Sequence, residues 1–184
     1  ALVGEARARA NAYQQRFAKA AIWPDRRWEI SLGSEAGAEP EFSAPLDEYA
    51  SWFYEAVTAA TAMATKVPGV GQTYLEATKD RDGNWLDGGK TYRLRVDAHV
   101  PAKQFWSVTA YDNESRCFID NKEEIADRSS RMDLIRHADG SPGKEKNWIP
   151  TARGKGWFTY FRLYAPTEAY FDRSWKLADI EPAK

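Results

Sequence analysis

The chain has 184 residues, enough for one domain, or one domain with a helical annex, that buries roughly 70% of its unfolded surface. Its 26 basic and 27 acidic residues nearly cancel, which argues against a basic nucleic-acid footprint and against a polybasic membrane patch. No apolar run approaches the roughly 20 residues of a membrane span, and the single cysteine, Cys117, excludes an internal disulfide and a Cys-based zinc site.

The first residues, Ala1 to Gly4, run directly into Glu5, Arg7 and Arg9 with no apolar signal-peptide core. With no initiating Met, the start reads as a processed or excised end. Val3, Ala6, Ala10, Tyr13 and Phe17 recur at three- and four-residue steps and predict a first helix. Trp23-Pro24-Asp25 breaks it, and Arg27 to Leu32 predicts a short strand. A loop rich in Gly, Glu and Pro follows to Pro45, with Ser43 as N-cap. Leu46, Tyr49, Phe53, Val57, Ala60 and Met63 then predict a second helix, which Val67-Pro68-Gly69-Val70-Gly71 ends. Residues 1–67 are thus expected to form a helical lead-in and 68–184 a β domain.

From Gln72 the hydrophobic period changes to two. Gln72 to Thr78 predicts a strand, Asp80 to Gly83 a turn, and Tyr92 to Val96 a strand whose apolar residues alternate with arginines. In the strand over Gln104 to Asp112, Trp106, Val108 and Ala110 lie on one face, and Phe105, Ser107, Thr109 and Tyr111 on the other. Arg116 to Asp120 and Asp133 to Ala138 are further strand candidates, and Trp157 to Tyr164 is the longest and most apolar strand. Short strands between turn signals predict a sandwich or jelly roll.

Several segments resemble one bacterial family, domain of unknown function 1214. They are Met63 to Tyr74, Asp80-Arg81-Asp82-Gly83-Asn84-Trp85 on to Tyr92, Pro101 to Arg116, Asp139-Gly140-Ser141, and Gly143 to Trp175, while Trp23 to Arg26 and the first helix resemble the segment such proteins carry just before this domain. That family is usually joined to an N-terminal domain of unknown function 1254. The resemblance implies a mainly β, jelly-roll-like β sandwich with two N-terminal α-helices, α+β overall. It also implies a longer parent protein, often exported, hence a periplasmic or secreted location. It implies no reaction and no catalytic residues. Family members usually carry an extra strand-like segment after the Asp-Gly-Ser turn, so residues are expected to be absent between Ser141 and Pro142.

Tyr160, Arg162 and Tyr164 share a strand face, and a guanidinium between rings can present its fork to a carboxylate or phosphate. A buried structural ion pair with Asp112 or Asp87 is the favoured reading of Arg162, and an anion-binding role is the functional one. Asp80 to Asn84 with Asp87 lacks the EF-hand ligand pattern and reads as a polar hairpin turn. His99 and His137 have no metal-ligand spacing, so no metal and no cofactor is expected. His137 reads as a surface residue and Cys117 as a small buried hydrophobe. No nucleophile elbow, phosphate loop or dinucleotide glycine pattern occurs. Trp106, Trp157 and Phe161, in mid-strand, read as core. Trp85, Tyr111 and Trp148, at strand ends or in loops, are candidates for stacking on a sugar or for capping the core. The candidate ligand-binding set is Trp85, Tyr111, Asp112, Asn113, Arg116, Trp148 and Arg162.

The expected function is that of a non-catalytic binding or assembly module meeting a glycan or another acidic or polyhydroxylated ligand. Its expected protein partner is the parent's N-terminal domain or a second copy. The alternative is a hydrolase using a carboxylate pair, unselectable among 27 acids, in a cleft shared with that N-terminal domain.

Overall fold

Strand pairing organises the described part of the chain, and the reason is the density of residues that fit a pleated, buried surface. The structure is a computed structural model that describes residues 21–31, 67–121, 126–129 and 147–183. Within them the order is β1 (Glu29–Ser31), β2 (Gln72–Ala77), β3 (Tyr92–Arg93), β4 (Ala102–Asp112), β5 (Asp127–Ser129), β6 (Trp157–Pro166), α1 (Glu168–Phe171) and β7 (Glu181–Pro182). The protein is mainly β. A five-stranded sheet has the order β1-β2-β6-β4-β5 with every neighbour antiparallel, and β3 pairs with β7 in a separate ribbon.

The most apolar strand takes the centre. β6 pairs along its length with β2 on one side and β4 on the other, so that Leu75, Phe161 and Val108 stand abreast, as do Tyr74, Arg162 and Ser107. Alternation assigns Leu75, Ala77, Trp106, Ala110, Trp157, Phe161 and Leu163 to one face, where all are buried. Ile22, Trp23 and Trp28 from before β1, and Tyr92, Leu94, Leu177 and Ile180 from the ribbon region, join them in a single hydrophobic cluster. Phe161 stacks on Trp106 at 5.2 Å and meets Trp28 edge-on at 6.2 Å. The second face carries Tyr74, Glu76, Thr109, Tyr111, Phe158 and Tyr160, also buried. Burial on both faces is why β6 reads as an almost continuous apolar run.

Tight turns set the ends of these strands. At Asp80 to Asn84, the Gly83 amide donates to the Asp80 carbonyl at 3.0 Å and the Asn84 amide to the Asp80 carboxylate at 2.9 Å. Gly83 has φ +87°, which favours glycine, so the expected hairpin turn is formed. Gly88 meets a different constraint. Its amide donates to the Lys155 carbonyl, and a Cβ there would lie 2.1 Å from the Ala152 carbonyl oxygen. Gly88→Ala should therefore cost about 1 to 3 kcal/mol, seen as a lower urea midpoint at unchanged m-value.

Several expectations need correction. The strand expected over 92–96 is confined to Tyr92–Arg93, because its partner β7 is only two residues long. The strand expected over 116–120 reduces to a single bridge between Tyr111 and Phe118, since Arg116 adopts φ +60° and turns the chain. Cys117 is exposed rather than buried: its carbonyl accepts the Asp112 amide at 3.0 Å, which closes the turn and leaves the thiol at its rim. The two N-terminal helices, the strand over 133–138, His137 and the Ser141–Pro142 junction lie outside the described residues. Among the described residues no helix is long and apolar enough to cross a membrane.

Candidate functional site

Arg162 lies at the middle of the central strand, on the second face, opposite Tyr74 of β2 and Ser107 of β4. Its Nη1 donates to Thr109 Oγ1 at 3.0 Å and its Nη2 donates to the Tyr111 hydroxyl. The guanidinium carbon lies 5.4 Å from the Tyr74 ring centre and 5.7 Å from that of Tyr111. Among the described residues no carboxylate pairs with it, and its Nε is buried without an acceptor. The residue as a whole is half-buried while its tyrosine neighbours are buried.

Both expected carboxylate partners are committed elsewhere. Asp87 accepts the Gly89 amide at 2.8 Å. Asp112 has the parity of Trp106 and Ala110, which is the opposite face, and it accepts the amides of Glu114 and Ser115 at 2.9 and 2.8 Å. The flanking rings also differ from expectation. Tyr164 stacks on Phe105 at 3.9 Å and Tyr160 turns edge-on to Tyr74 at 5.9 Å. Residues two apart on one strand are more widely spaced than direct cross-strand pairs, so Tyr74 and Tyr111 from the neighbouring strands fill the space instead.

The hydroxyls of this site remain protonated. Burial pushes the Tyr74 phenol up to about 12, with the Arg162 charge opposing, and burial also raises Tyr111 against the same opposition. Tyr111 and Thr109 each accept a hydrogen bond from Arg162 through oxygen, which leaves each hydroxyl proton available to donate. The Arg162 guanidinium and these two hydroxyl protons are thus neighbouring hydrogen-bond donors. Beside it, Arg116 lies over the Phe158 ring at 3.8 Å and reaches Glu76 at 3.5 Å.

The rest of the sequence-derived set does not assemble here. Asp112 and Asn113 shape the turn after β4, where the Asn113 amide donates to the Gly156 carbonyl at 3.1 Å. Trp85 is 49% exposed with the Lys79 ammonium 4.5 Å over its ring. Trp148 lines a cavity on the opposite face, with Val108, Ala110 and Trp157. Tyr74, Thr109 and Glu76 were missed as site residues. The parity of Thr109 with Tyr111 was visible, whereas Tyr74 and Glu76 join the site only through pairing between distant strands.

Asp112 makes a pH prediction. Burial pushes its carboxyl up, but the Ser115 amide, the Lys155 ammonium, the Glu114 amide and the Ser115 hydroxyl together outweigh that and hold it below the usual carboxylate range. A depressed folded-state pKa stabilises the fold above the unfolded value of about 3.9, and that contribution is lost as pH falls through the lower folded value. Asp112→Asn should flatten the decline of the urea midpoint below about pH 4, and an unchanged acid limb would contradict the assignment.

The family described as "Protein of unknown function (DUF1214)" matches residues 71–168, more than half of the chain, including all of β2 to β6 and Arg162. Among solved structures, the VPA0106 protein from Vibrio parahaemolyticus is similar in fold, with a TM-score of 0.55 and 21% identity. The likeness covers 77% of this chain and 36% of that one, so this chain spans little more than a third of the length of that relative. No curated protein matches. The chain belongs to the DUF1214 family, whose function is unknown.

Proposed function

We propose that this chain is a non-catalytic binding module of a larger exported protein, and that Arg162 takes the carboxylate of a small acidic, polyhydroxylated ligand such as an acidic sugar. The observation that carries the reading is the guanidinium held on the central strand by two neutral hydroxyls, with Nε unused and no carboxylate partner among the described residues. Charges withdrawn from water are ordinarily paired, so a half-buried guanidinium left to hydroxyls has capacity for an anion. Tyr111 and Thr109 supply donors to the same oxygen or to a neighbouring sugar hydroxyl. The binding reading is favoured over the hydrolase because Glu76, a buried carboxylate of this face, is engaged by Arg116.

The larger setting is part of the same proposal. A relative of which this chain spans only 36% supports a longer parent. The periplasmic or secreted location and the N-terminal domain or second copy as protein partner rest on the family resemblance. The ribbon of β3 and β7 over the first face is read as part of the second layer of a jelly-roll-like sandwich.

Titration of the full chain with glucuronate by calorimetry tests the ligand reading, with glucose as the neutral control. Glucuronate should bind and glucose should bind at least about ten-fold more weakly, since a hydrogen bond to a charged group contributes about 1.5 to 3 kcal/mol. Arg162→Gln should weaken glucuronate binding by a similar factor, and Tyr111→Phe should lower it several-fold while keeping the ring. Equal binding of the two sugars, or wild-type affinity in Arg162→Gln, would sink the reading.

A further inference from the structure

The face of the sheet opposite Arg162 holds a cavity of about 90 Å³ within a wider recess of about 780 Å³ that includes its open mouth. β4 and β6 supply Val108, Ala110 and Trp157 as its floor, and Trp148 with Ile149 forms a wall. Apolar walls of this kind stay dry or take an apolar guest. Two polar atoms of lining residues break the pattern. Trp157 Nε1 and Asn147 Oδ1 are both buried and have no hydrogen-bond partner among the described residues.

An indole N–H only donates and an amide oxygen only accepts, so a hydroxyl, which does both, suits either atom. Leaving a buried polar group unmet is costly, which gives a hydroxyl-bearing guest an advantage over a purely apolar one. The charges of the lining have one sign. Lys90 and Arg128 line the cavity, and among the described residues no acid does. The Arg128 guanidinium donates to the Asp127 and Trp148 carbonyls, whereas Lys90 is exposed. The polar demand is therefore a hydroxyl where Asn147 and Trp157 are buried and an anion where Lys90 meets solvent.

We propose that this cavity is a second binding site, for a small hydroxylated aromatic carboxylate whose hydroxyl points inward to Asn147 and Trp157 and whose carboxylate meets Lys90 at the mouth. The site is independent of Arg162, from which it is separated by the sheet itself. A ring fits by entering from the mouth with its carboxylate outside, since a fully enclosed benzene needs a cavity nearer 150 Å³.

The full chain should be titrated with 4-hydroxybenzoate, benzoate and phenol, read by calorimetry and by the indole N–H resonance of Trp157, assigned by its loss in Trp157→Phe. 4-Hydroxybenzoate should shift that resonance and bind about ten-fold more tightly than either compound lacking one polar group. Lys90→Gln, a change at an exposed position, should erase its advantage over phenol, and Asn147→Leu its advantage over benzoate. No shift of the Trp157 resonance with millimolar 4-hydroxybenzoate would overturn the proposal, as would equal affinity for all three compounds or wild-type binding in both variants. Arg162→Gln should leave 4-hydroxybenzoate binding unchanged, so failure of the acidic-sugar site and failure of this one are read separately.

Discussion

Trp28→Ala should cost about 3 to 5 kcal/mol and lower the urea midpoint accordingly, the largest effect expected of any single truncation in the core. Trp28 is fully buried, at 0% exposure, just before the edge strand β1. Its ring meets Phe161 of the central strand, and its Nε1 donates to the Ala178 carbonyl at 2.9 Å. Its own carbonyl accepts the Ile22 amide at 3.0 Å, which folds the preceding segment back over the sheet. One side chain therefore joins the start of the described chain, the middle of the sheet and the C-terminal segment. Truncation removes the ring's apolar burial, opens a cavity and leaves the Ala178 carbonyl unpaired. Trp28→Phe keeps much of the volume and should lose less. Trp85→Ala, at a ring that is 49% exposed, should change stability by no more than about 0.5 kcal/mol. Should Trp28→Ala cost no more than Trp85→Ala, the packing of residues 21–31 on the sheet is wrong.

The parts of the fold that a sequence displays are those governed by local period. The two faces of β4, the apolar weight of β6 and the Asp80 to Asn84 turn follow from neighbours within a few residues, and the structure forms all three. Phe161 as core follows for the same reason. The environment of Arg162 was half legible. Its parity with Tyr160 and Tyr164 is local, but its contacts come from β2 and β4, which are 88 and 53 or fewer residues away in the chain. No local pattern specifies which tyrosine stands opposite which arginine. Parity within β4 did place Asp112 away from Tyr111, yet without the β4–β6 register that fact had no bearing on Arg162. Trp85, Tyr111 and Trp148 looked alike as aromatics near strand ends. Strand pairing divides them, burying Tyr111 beside Arg162, placing Trp148 across the sheet and leaving Trp85 to Lys79.

Glu76→Gln carries the second large effect, an expected loss of about 3 to 5 kcal/mol. The Glu76 and Arg116 side chains are 3% and 8% exposed, and their closest charged atoms are 3.5 Å apart. Both therefore hold their charges away from water, where each depends on the other and on further contacts that both residues make. Arg116 also adopts φ +60°, a backbone state that arginine occupies at a cost, and it lays its guanidinium 3.8 Å over the Phe158 ring. A strained residue aimed at a buried acid is held there by what its side chain gains. Neutralising Glu76 removes one partner of a guanidinium held in a low-dielectric setting, whereas neutralising both removes the desolvation cost along with the attraction. Glu76→Gln combined with Arg116→Met should thus be more stable than Glu76→Gln alone, with a coupling above about 1 kcal/mol in a double-mutant cycle read by urea unfolding. The same cycle separates this pair from the ligand site, since Arg162→Gln should show no such recovery with Glu76→Gln. A coupling near zero between Glu76 and Arg116 would mean that the two charges are each stabilised by other partners, and that the turn after β4 is not anchored by this pair.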